Sequence, residues 1–361
     1  MDFDGLKNRI LYNCDVTDAR HAGTYSVCGL VMRLRDLYKW EHRLPPWRED
    51  APAKVLDWIG HKEDYWEKLM AAEFGRIRLN GQPHDAFDTI AVNSHLRSHN
   101  LYYGAGYAHS LKPTFFLADI VRTESICGHT VCTTGVEHAR DLMTLPAFTQ
   151  DGGVVFRTEA ARMFLWDQIV YLSQSGRKAL DFAARVCGLP DARSETIRMG
   201  FHKIWSAQKN IYIRHEIGEL EETVFNRAIW QQMLADYPHT AVELLVRTLK
   251  DLLADTGPKG VLTHLIENRD AAGLGLYMAF GNGITRLLTK ALICAFDGFI
   301  ADSHWPHVRD AARKILRDVT AYTHQVLDLY HAAEALGDLQ SGQTAIEGTM
   351  VQRGLVSKPQ N

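Results

Sequence analysis

The sequence predicts a mainly helical protein, with a multi-helix orthogonal or bundle-like architecture and a few short strands confined to its N-terminal half. Turn signals, among them Gly152 with Gly153 and Gly257 with Pro258, divide the chain into segments that are mostly too long to be strands. Within these segments apolar residues recur at the three- and four-residue spacing of an amphipathic helix. Capping residues stand at the ends of several segments and indicate helices independently.

The first predicted region, residues 1–150, is rich in His and Cys and mixes helix with loop. An amphipathic helix is predicted within 50–74, with apolar residues at Val55, Trp58, Ile59, Trp66, Leu69 and Met70. The segments 88–92 and 152–156 are predicted to be short strands because they are rich in β-branched residues. The stretch 93–112 contains many Gly, Tyr and His residues and is predicted to be a loop.

The second predicted region, residues 151–337, is a helical bundle. Helices are predicted over 158–188 and 303–337, each followed or ended by a glycine. Thr240 and Glu243 have the spacing of a capping box in front of another helix. The remaining residues, 338–361, are expected to form a polar, mobile tail.

Composition excludes several classes of function. The chain has 361 residues, with 40 Lys and Arg against 43 Asp and Glu, so its net charge of −3 gives no field that would attract nucleic acid. No secretory signal and no apolar stretch of ~18 residues is present, so we expect a soluble, cytoplasmic protein that does not enter a membrane. The 17 His and 6 Cys residues are numerous enough to suggest metal ligands.

The first candidate cluster lies in the opening segment and consists of Cys14, Asp18, His21, Tyr25 and Cys28. Their spacings of four, three, four and three would place all five on one stripe of a continuous helix. Thiolate and imidazole ligands suit zinc or iron, and a carboxylate suits iron. The alternative is that the thiols pack in the core and the carboxylate pairs with a basic residue.

The second candidate cluster surrounds a Gly-containing turn. It contains Glu124, Cys127, His129, Cys132, Glu137 and His138. Gly128 permits the tight turn that a metal-binding knuckle requires. His95 and His99, four residues apart, could complete the ligand set from a second segment. Packing and hydrogen bonding within a Gly-rich loop are the alternative explanation.

A third candidate cluster lies on predicted helices of the C-terminal half. His215, Glu216, Glu219 and Glu222 occur together, and His324, Asp328 and His331 share one face of the last long helix. Di-iron sites in helical bundles are built from carboxylates and imidazoles that project inward from facing helices. This chain lacks the two ExxH pairs that are usual in such sites, and solvated helix faces would explain the same residues.

One further pattern concerns anion binding. The Gly-rich run around Gly281 and Gly283 is followed by Arg286 and Lys290, which could surround an anion together with backbone amides at a helix start. The run is not a P-loop, because no GKS or GKT follows it, and no GxSxG sequence indicates a serine hydrolase.

The opening residues NCDVTDARHAG (13–23) and YSVCGLVMRLRDLYKWE (25–41) resemble those of an uncharacterised bacterial family, a domain of unknown function known mainly from anaerobic and sulfate-reducing lineages. The resemblance extends over most of the chain. It implies a soluble bacterial protein in an oxygen-poor cytoplasm and transfers no catalytic residue.

These observations predict a protein that binds iron or zinc and acts as a metal-dependent enzyme. We expect the metal to lie between the opening segment and the loop 127–138, with Asp18 or Glu124 as the general base. The metal ligands would come from Cys14, His21, Cys28, His95, His99, Cys127, His129, Cys132 and His138. The alternatives are a di-iron oxidase or oxygen sensor built on the third cluster, and a helical scaffold that binds a protein partner without catalysis. The substrate and the partner are not predicted, and a homo-oligomer is compatible with the sequence.

Overall fold

The computed structural model describes residues 2–108, 111–281 and 283–356. The chain divides into two compact units, Met1–Val170 and Tyr171–Asn361. The helix that begins at Thr158 belongs to the first unit, because it packs on the strands of that unit. Within the described ranges, no helix combines the length and the apolar character needed to cross a membrane.

The first unit combines a sheet with helices. Its helices are α1 (Phe3–His21), α2 (Val27–Glu41), α3 (Pro52–Glu67), α4 (Thr89–Leu96) and α5 (Thr158–Val170). Its strands are β1 (Ile77–Leu79), β2 (Gln82–His84), β3 (Leu101–Tyr107), β4 (Pro113–Ile126), β5 (His129–Arg140), β6 (Ala147–Gln150) and β7 (Gly153–Arg157). β1 and β2 form a hairpin, and the other strands form a curled mixed sheet in the order β3-β4-β5-β7-β6. Only β5 and β7 run parallel in this sheet.

This sheet is the main departure from the expected fold, which allowed only a few short strands. The predicted helix within 50–74 is confirmed as α3, and the strand at 152–156 is confirmed as β7. The strand expected at 88–92 is wrong, because the Asp88 carboxylate accepts the N–H of Ala91 and caps α4. The loop expected over 93–112 contains β3, whose Gly104 allows the Phe116 ring of β4 to pack against the backbone. Residues 109 and 110 lie outside the described residues.

The core of the first unit lies on both faces of the sheet. α1 covers one face, where Leu6 and Ile10 pack with Phe115 and Leu117. On the other face Tyr102, Phe116 and Val155 form a smaller apolar cluster. Because successive residues of β4 point to opposite faces, Phe115 and Phe116 belong to different clusters.

In the described residues of the second unit, all regular secondary structure is helical. Its helices are α6 (Arg177–Val186), α7 (Ser194–Met199), α8 (Phe201–Glu221), α9 (Arg227–Asp236), α10 (Ala241–Thr256), α11 (Val261–Glu267), α12 (Ala271–Phe280), α13 (Gly283–Leu288), α14 (Lys290–Asp302), α15 (Trp305–Leu336) and α16 (Leu339–Gln352). The helix predicted over 158–188 is divided into α5 and α6 by the stretch after Val170, in which Ser173, Ser175 and Gly176 are weak helix formers.

The capping residues predicted for the second unit are confirmed. The Thr240 hydroxyl accepts the N–H of Glu243, and the Glu243 carboxylate accepts the N–H of His239. α15 ends at Gly337, which has a left-handed φ of 67°. The polar tail expected after this glycine instead forms α16, because Ile346 and Met350, four residues apart, are both buried. Residues 357–361 lie outside the described residues.

Candidate functional site

Three helices of the second unit converge at the candidate site. α8 carries His215, Glu216 and Glu219, α10 carries Lys250, Asp251 and Asp255, and α12 carries Tyr277. α8 and α10 approach closely at Gly218, where an added Cβ would lie only 2.3 Å from the carbonyl oxygen of Ala254. Glycine at this position therefore brings the polar residues of the two helices together.

The orientation of His215 is fixed by Asp255. The imidazole Nδ1 lies 2.8 Å from Asp255 Oδ1, and the Tyr277 hydroxyl donates to Asp255 Oδ2 at 3.0 Å. With Nδ1 donating, Nε2 is the nitrogen that faces the other carboxylates, as the hydrogen-bond network requires. A carboxylate that orients a histidine in this way is typical of the surroundings of protein metal sites.

Two further carboxylates face His215 Nε2. Glu219 Oε1 lies 3.8 Å from it and Asp251 Oδ1 lies 4.0 Å from it, and the ligand atoms of the three residues all lie within 4.8 Å of one another. Metal bonds of about 2.0–2.2 Å place neighbouring ligand atoms roughly 3–3.5 Å apart. Binding one ion would therefore bring each carboxylate about half an ångström closer to His215, and the widest pair of ligand atoms more than about 1 Å closer together. Asp251 is half exposed, at 51%, and leaves one side of the group open to solvent.

The charges at this site are unbalanced. Among the described residues, four carboxyl groups, those of Glu216, Glu219, Asp251 and Asp255, surround His215 and a single close lysine. That lysine, Lys250, lies 3.0 Å from Glu219 Oε2 and above the Trp230 ring, and Arg227 adds a weaker attraction to Glu219. The site therefore contains more carboxyl groups than cationic groups.

The pKa values of the site follow from this imbalance. Burial alone lowers the pKa of His215, but the carboxylates of Asp255, Asp251 and Glu219 overcome it and raise that pKa well above its ordinary value. Burial raises the pKa of Glu216 to about 8, with help from the neighbouring carboxylate of Glu219. For Glu219, His215 and Lys250 outweigh burial and lower the pKa.

Part of this site was predicted and part was missed. His215, Glu216 and Glu219 were predicted, whereas Asp251, Asp255 and Tyr277 were not. The two aspartates carried one signal: they lie four residues apart near the C-terminal end of a helix, where the helix dipole disfavours negative charge. Glu222, expected on the same face, ends α8 and accepts the N–H groups of Val224 and Phe225.

The other members of the third cluster lie elsewhere in the second unit. His324, Asp328 and His331 are exposed on α15, and His331 lies 3.5 Å from Glu334. Within the part of the chain that the structure describes, they form no group with His215 that could hold an ion. The six-ligand arrangement predicted for a di-iron site is therefore not assembled by these residues.

The opening segment does not form one helix. α1 ends at His21, a short 3-10 turn covers Ala22–Thr24, and α2 begins at Val27, so the predicted stripe is broken before Cys28. Cys14 is buried, donates to the carbonyl oxygen of Phe115 at 3.3 Å, and has a pKa raised by burial and nearby aspartates. His21 has a pKa lowered by burial, and Cys28 is exposed.

Asp18, a predicted general base, is buried, and its carboxylate is held by a lysine and by a backbone N–H group. Lys112 Nζ lies 2.8 Å from its Oδ1, and the N–H of Leu142 donates to its carboxylate at 3.0 Å. Burial raises the pKa of Asp18 to about 7, and the Asp18 carboxylate raises the pKa of Lys112 despite burial. Asp18 thus links α1 to Lys112, just before β4, and to Leu142, just after β5. These contacts give it a structural role.

The Cys127 turn is the tip of a β-hairpin. Cys127 and Gly128 have φ values of 53° and 87° between the paired residues Ile126 and His129, as a two-residue type I′ turn requires. Cys132 is buried on the face of the sheet opposite Cys14, because it packs with Phe116 instead of Phe115. The shared metal site predicted between the two segments is therefore not formed.

The remaining candidates of the first unit are also separate. His138 Nε2 lies 2.7 Å from Asp119 Oδ1, and Glu124 pairs with Arg122 at 2.5 Å. His95 is on α4 near His84, with ring centroids 5.3 Å apart, and His99 lies in the 3-10 turn after that helix. Among the described residues none of these candidates joins a group of three that could hold an ion. Metal binding by any one of them stays a prediction.

Two family models cover most of the chain. The model for the N-terminal domain of a family of unknown function (DUF6866) matches residues 5–157, and the model for its C-terminal domain matches residues 162–352. The chain therefore belongs to this family, as the resemblance of its opening residues predicted. Comparisons with curated proteins and with solved structures gave no match.

Proposed function

We propose that this member of the DUF6866 family is a metal-dependent enzyme whose divalent cation is held by His215, Glu219 and Asp251. The observation that carries the proposal is the mutual approach of their ligand atoms within 4.8 Å. The excess of carboxyl groups over cations supports it, since a divalent ion would neutralise the repulsion between Glu219 and Asp251.

The donor set narrows the choice of metal. One imidazole nitrogen and two carboxylate oxygens suit Fe²⁺, Zn²⁺ or Mn²⁺ better than Cu⁺, which prefers thiolate and thioether sulfur. Asp255 would hold His215 in the ligating tautomer, and the Tyr277 hydroxyl would hold Asp255 in turn.

The number of ligands favours catalysis over a purely structural role. Structural zinc sites are closed by four protein ligands, whereas catalytic sites keep a position for water or substrate. Here three residues converge and the half-exposed Asp251 marks the open side. An ion at this place would act as a Lewis acid on a small-molecule substrate, polarising a carbonyl or phosphoryl group or lowering the pKa of a bound water.

Metal content of the protein purified without chelator tests this proposal. We expect close to one Fe, Zn or Mn per chain for the wild type, and a loss of most of it in His215→Asn. His202→Asn, which changes an exposed histidine of the same helix, should keep its metal. The double change of Cys127 and Cys132 to Ser should also leave metal content intact.

The opposite pattern would refute it. In one such outcome, protein reconstituted with each of the three ions binds fewer than about one metal per ten chains. That result would favour the alternative function, a helical scaffold that binds a protein partner without catalysis. Loss of metal in the double cysteine variant, with full retention in His215→Asn, would instead locate the ion at the hairpin of the first unit.

A further inference from the structure

A cavity of about 280 Å³ lies in the second unit, apart from the residues of the candidate metal site. Its walls come from the end of α13, the start of α14, the middle of α15 and the chain that follows α16. A cavity of ~150 Å³ can accommodate benzene, so this one has room for a ligand of about ten non-hydrogen atoms.

The floor of the cavity is aliphatic. Ile315 and Val319, one turn apart on α15, are each 1% exposed, and Leu355 is buried beside them. Leu287, at the edge, is 36% exposed. A hydrocarbon group that entered the cavity would therefore exchange contact with water for contact with aliphatic side chains.

The mouth of the cavity is cationic. Lys290, Lys314 and Arg353 line it together with a single carboxylate, that of Asp318. Lys314 Nζ lies 2.8 Å from Asp318, so these two charges offset each other. Lys290 and Arg353 have no carboxylate within 4 Å among the described residues, and they leave a net positive charge at the mouth.

Arg353 is held in place by uncharged groups. Its guanidinium carbon lies 3.9 Å from the centroid of the Tyr322 ring, and Nη2 donates to Gln325 Oε1 at 3.3 Å. Neither partner neutralises the guanidinium. Lys290 is the cation that the sequence already indicated for anion binding after the Gly-rich run.

From this combination we propose that the cavity binds a small aliphatic anion, with its carboxylate or phosphate head between Lys290 and Arg353 and its hydrocarbon chain on Ile315 and Val319. The charge at the mouth favours an anion, and the volume of the cavity limits the alkyl chain to about eight carbons. This site is separate from the proposed metal site and does not depend on it.

Calorimetric titration of the full chain with octanoate, octyl phosphate and octan-1-ol tests the proposal. We expect at least one anion to bind with a Kd below about 1 mM, and octanol, which has the same chain without charge, to bind at least about tenfold more weakly. The tighter of the two anions identifies the head group that the site prefers. Binding of the anions should also weaken as salt is raised from 0.05 to about 0.5 M.

Variants separate this site from non-specific binding. Lys290→Gln, at an exposed position, should weaken anion binding about fivefold without changing that of octanol. Leu287→Trp, which fills the edge of the cavity, should weaken binding of all three probes. Lys203→Gln removes an exposed lysine from α8 and should change nothing. The proposal fails if neither anion binds with a Kd below about 1 mM, if octanol binds as tightly as the anions, or if Lys290→Gln and Lys203→Gln behave alike.

Discussion

Both units bury carboxylates, but the two sets differ in how their charge is balanced. In the first unit Glu137 is fully buried and lies 2.7 Å from Arg157 Nε, with Arg140 at 3.6 Å on its other oxygen. Asp141 accepts two backbone N–H groups, and Asp18 has Lys112. In the second unit four carboxyl groups share His215 and Lys250. A buried charge that the protein itself neutralises is costly to leave without its partner. Carboxyl groups in excess of their cationic partners are the feature on which the proposed metal site rests.

The largest effect should come from breaking a balanced pair. Glu137→Gln would leave the buried guanidiniums of Arg157 and Arg140 without a counter-charge, and we expect it to lower the free energy of unfolding by about 3–5 kcal/mol. Asp297→Asn removes one partner of the exposed pair Lys178–Asp297 and should cost no more than about 1 kcal/mol. Chemical denaturation measures both. Equal effects of the two changes would show that the buried network is not a source of stability.

A second effect concerns Asp167, a carboxyl group of the first unit whose pKa is raised. Burial, and the hydrogen bond that protonated Asp167 donates to its neighbour Asp36, raise the pKa of Asp167 to about 8, although Arg35 lies 2.6 Å away. Between about pH 4 and pH 8 the folded protein therefore holds a proton that the unfolded chain has released, so stability should fall as the pH rises.

Asp167→Asn keeps a hydrogen-bond donor toward Asp36 and cannot titrate. Denaturation curves across this range should show that the variant reduces the decline by up to about 1.4 kcal/mol per pH unit. An unchanged pH dependence in the variant would mean that Asp167 is ionised in the folded protein.

The sequence was most informative where local chemistry decides structure. The cap at Thr240, the end of α15 at Gly337 and the helical spacing in α3 all depend on residues within one or two turns, and all were predicted. The sheet was underestimated because β3 contains Gly and Tyr residues whose burial depends on cross-strand packing against β4, which the composition of β3 alone does not indicate.

The candidate site divides in the same way. His215 and Glu219 were predicted because they lie one turn apart on one helix. Asp251 and Asp255 come from another helix, and their approach depends on the close contact at Gly218, which no local spacing reveals. The metal site predicted from the thiols of the first unit failed for a related reason. Cys14 and Cys132 pack against opposite faces of a sheet that the sequence did not indicate.

The free energy of unfolding of Asp251→Asn, measured with and without Mn²⁺, tests the claim about unbalanced charge most directly. Without metal we expect the variant to be as stable as the wild type or more stable by up to about 1 kcal/mol, because it removes one of several carboxylates that repel one another. With Mn²⁺ at about 100 times its Kd, the free energy of unfolding of the wild type should rise by about 2.7 kcal/mol. The variant lacks one of the three ligands, so its free energy of unfolding should change little. The Asp297→Asn variant should respond to Mn²⁺ as the wild type does. If Asp251→Asn is instead strongly destabilised without metal, and Mn²⁺ stabilises neither protein, the cluster is a structural ion-pair network like that of the first unit.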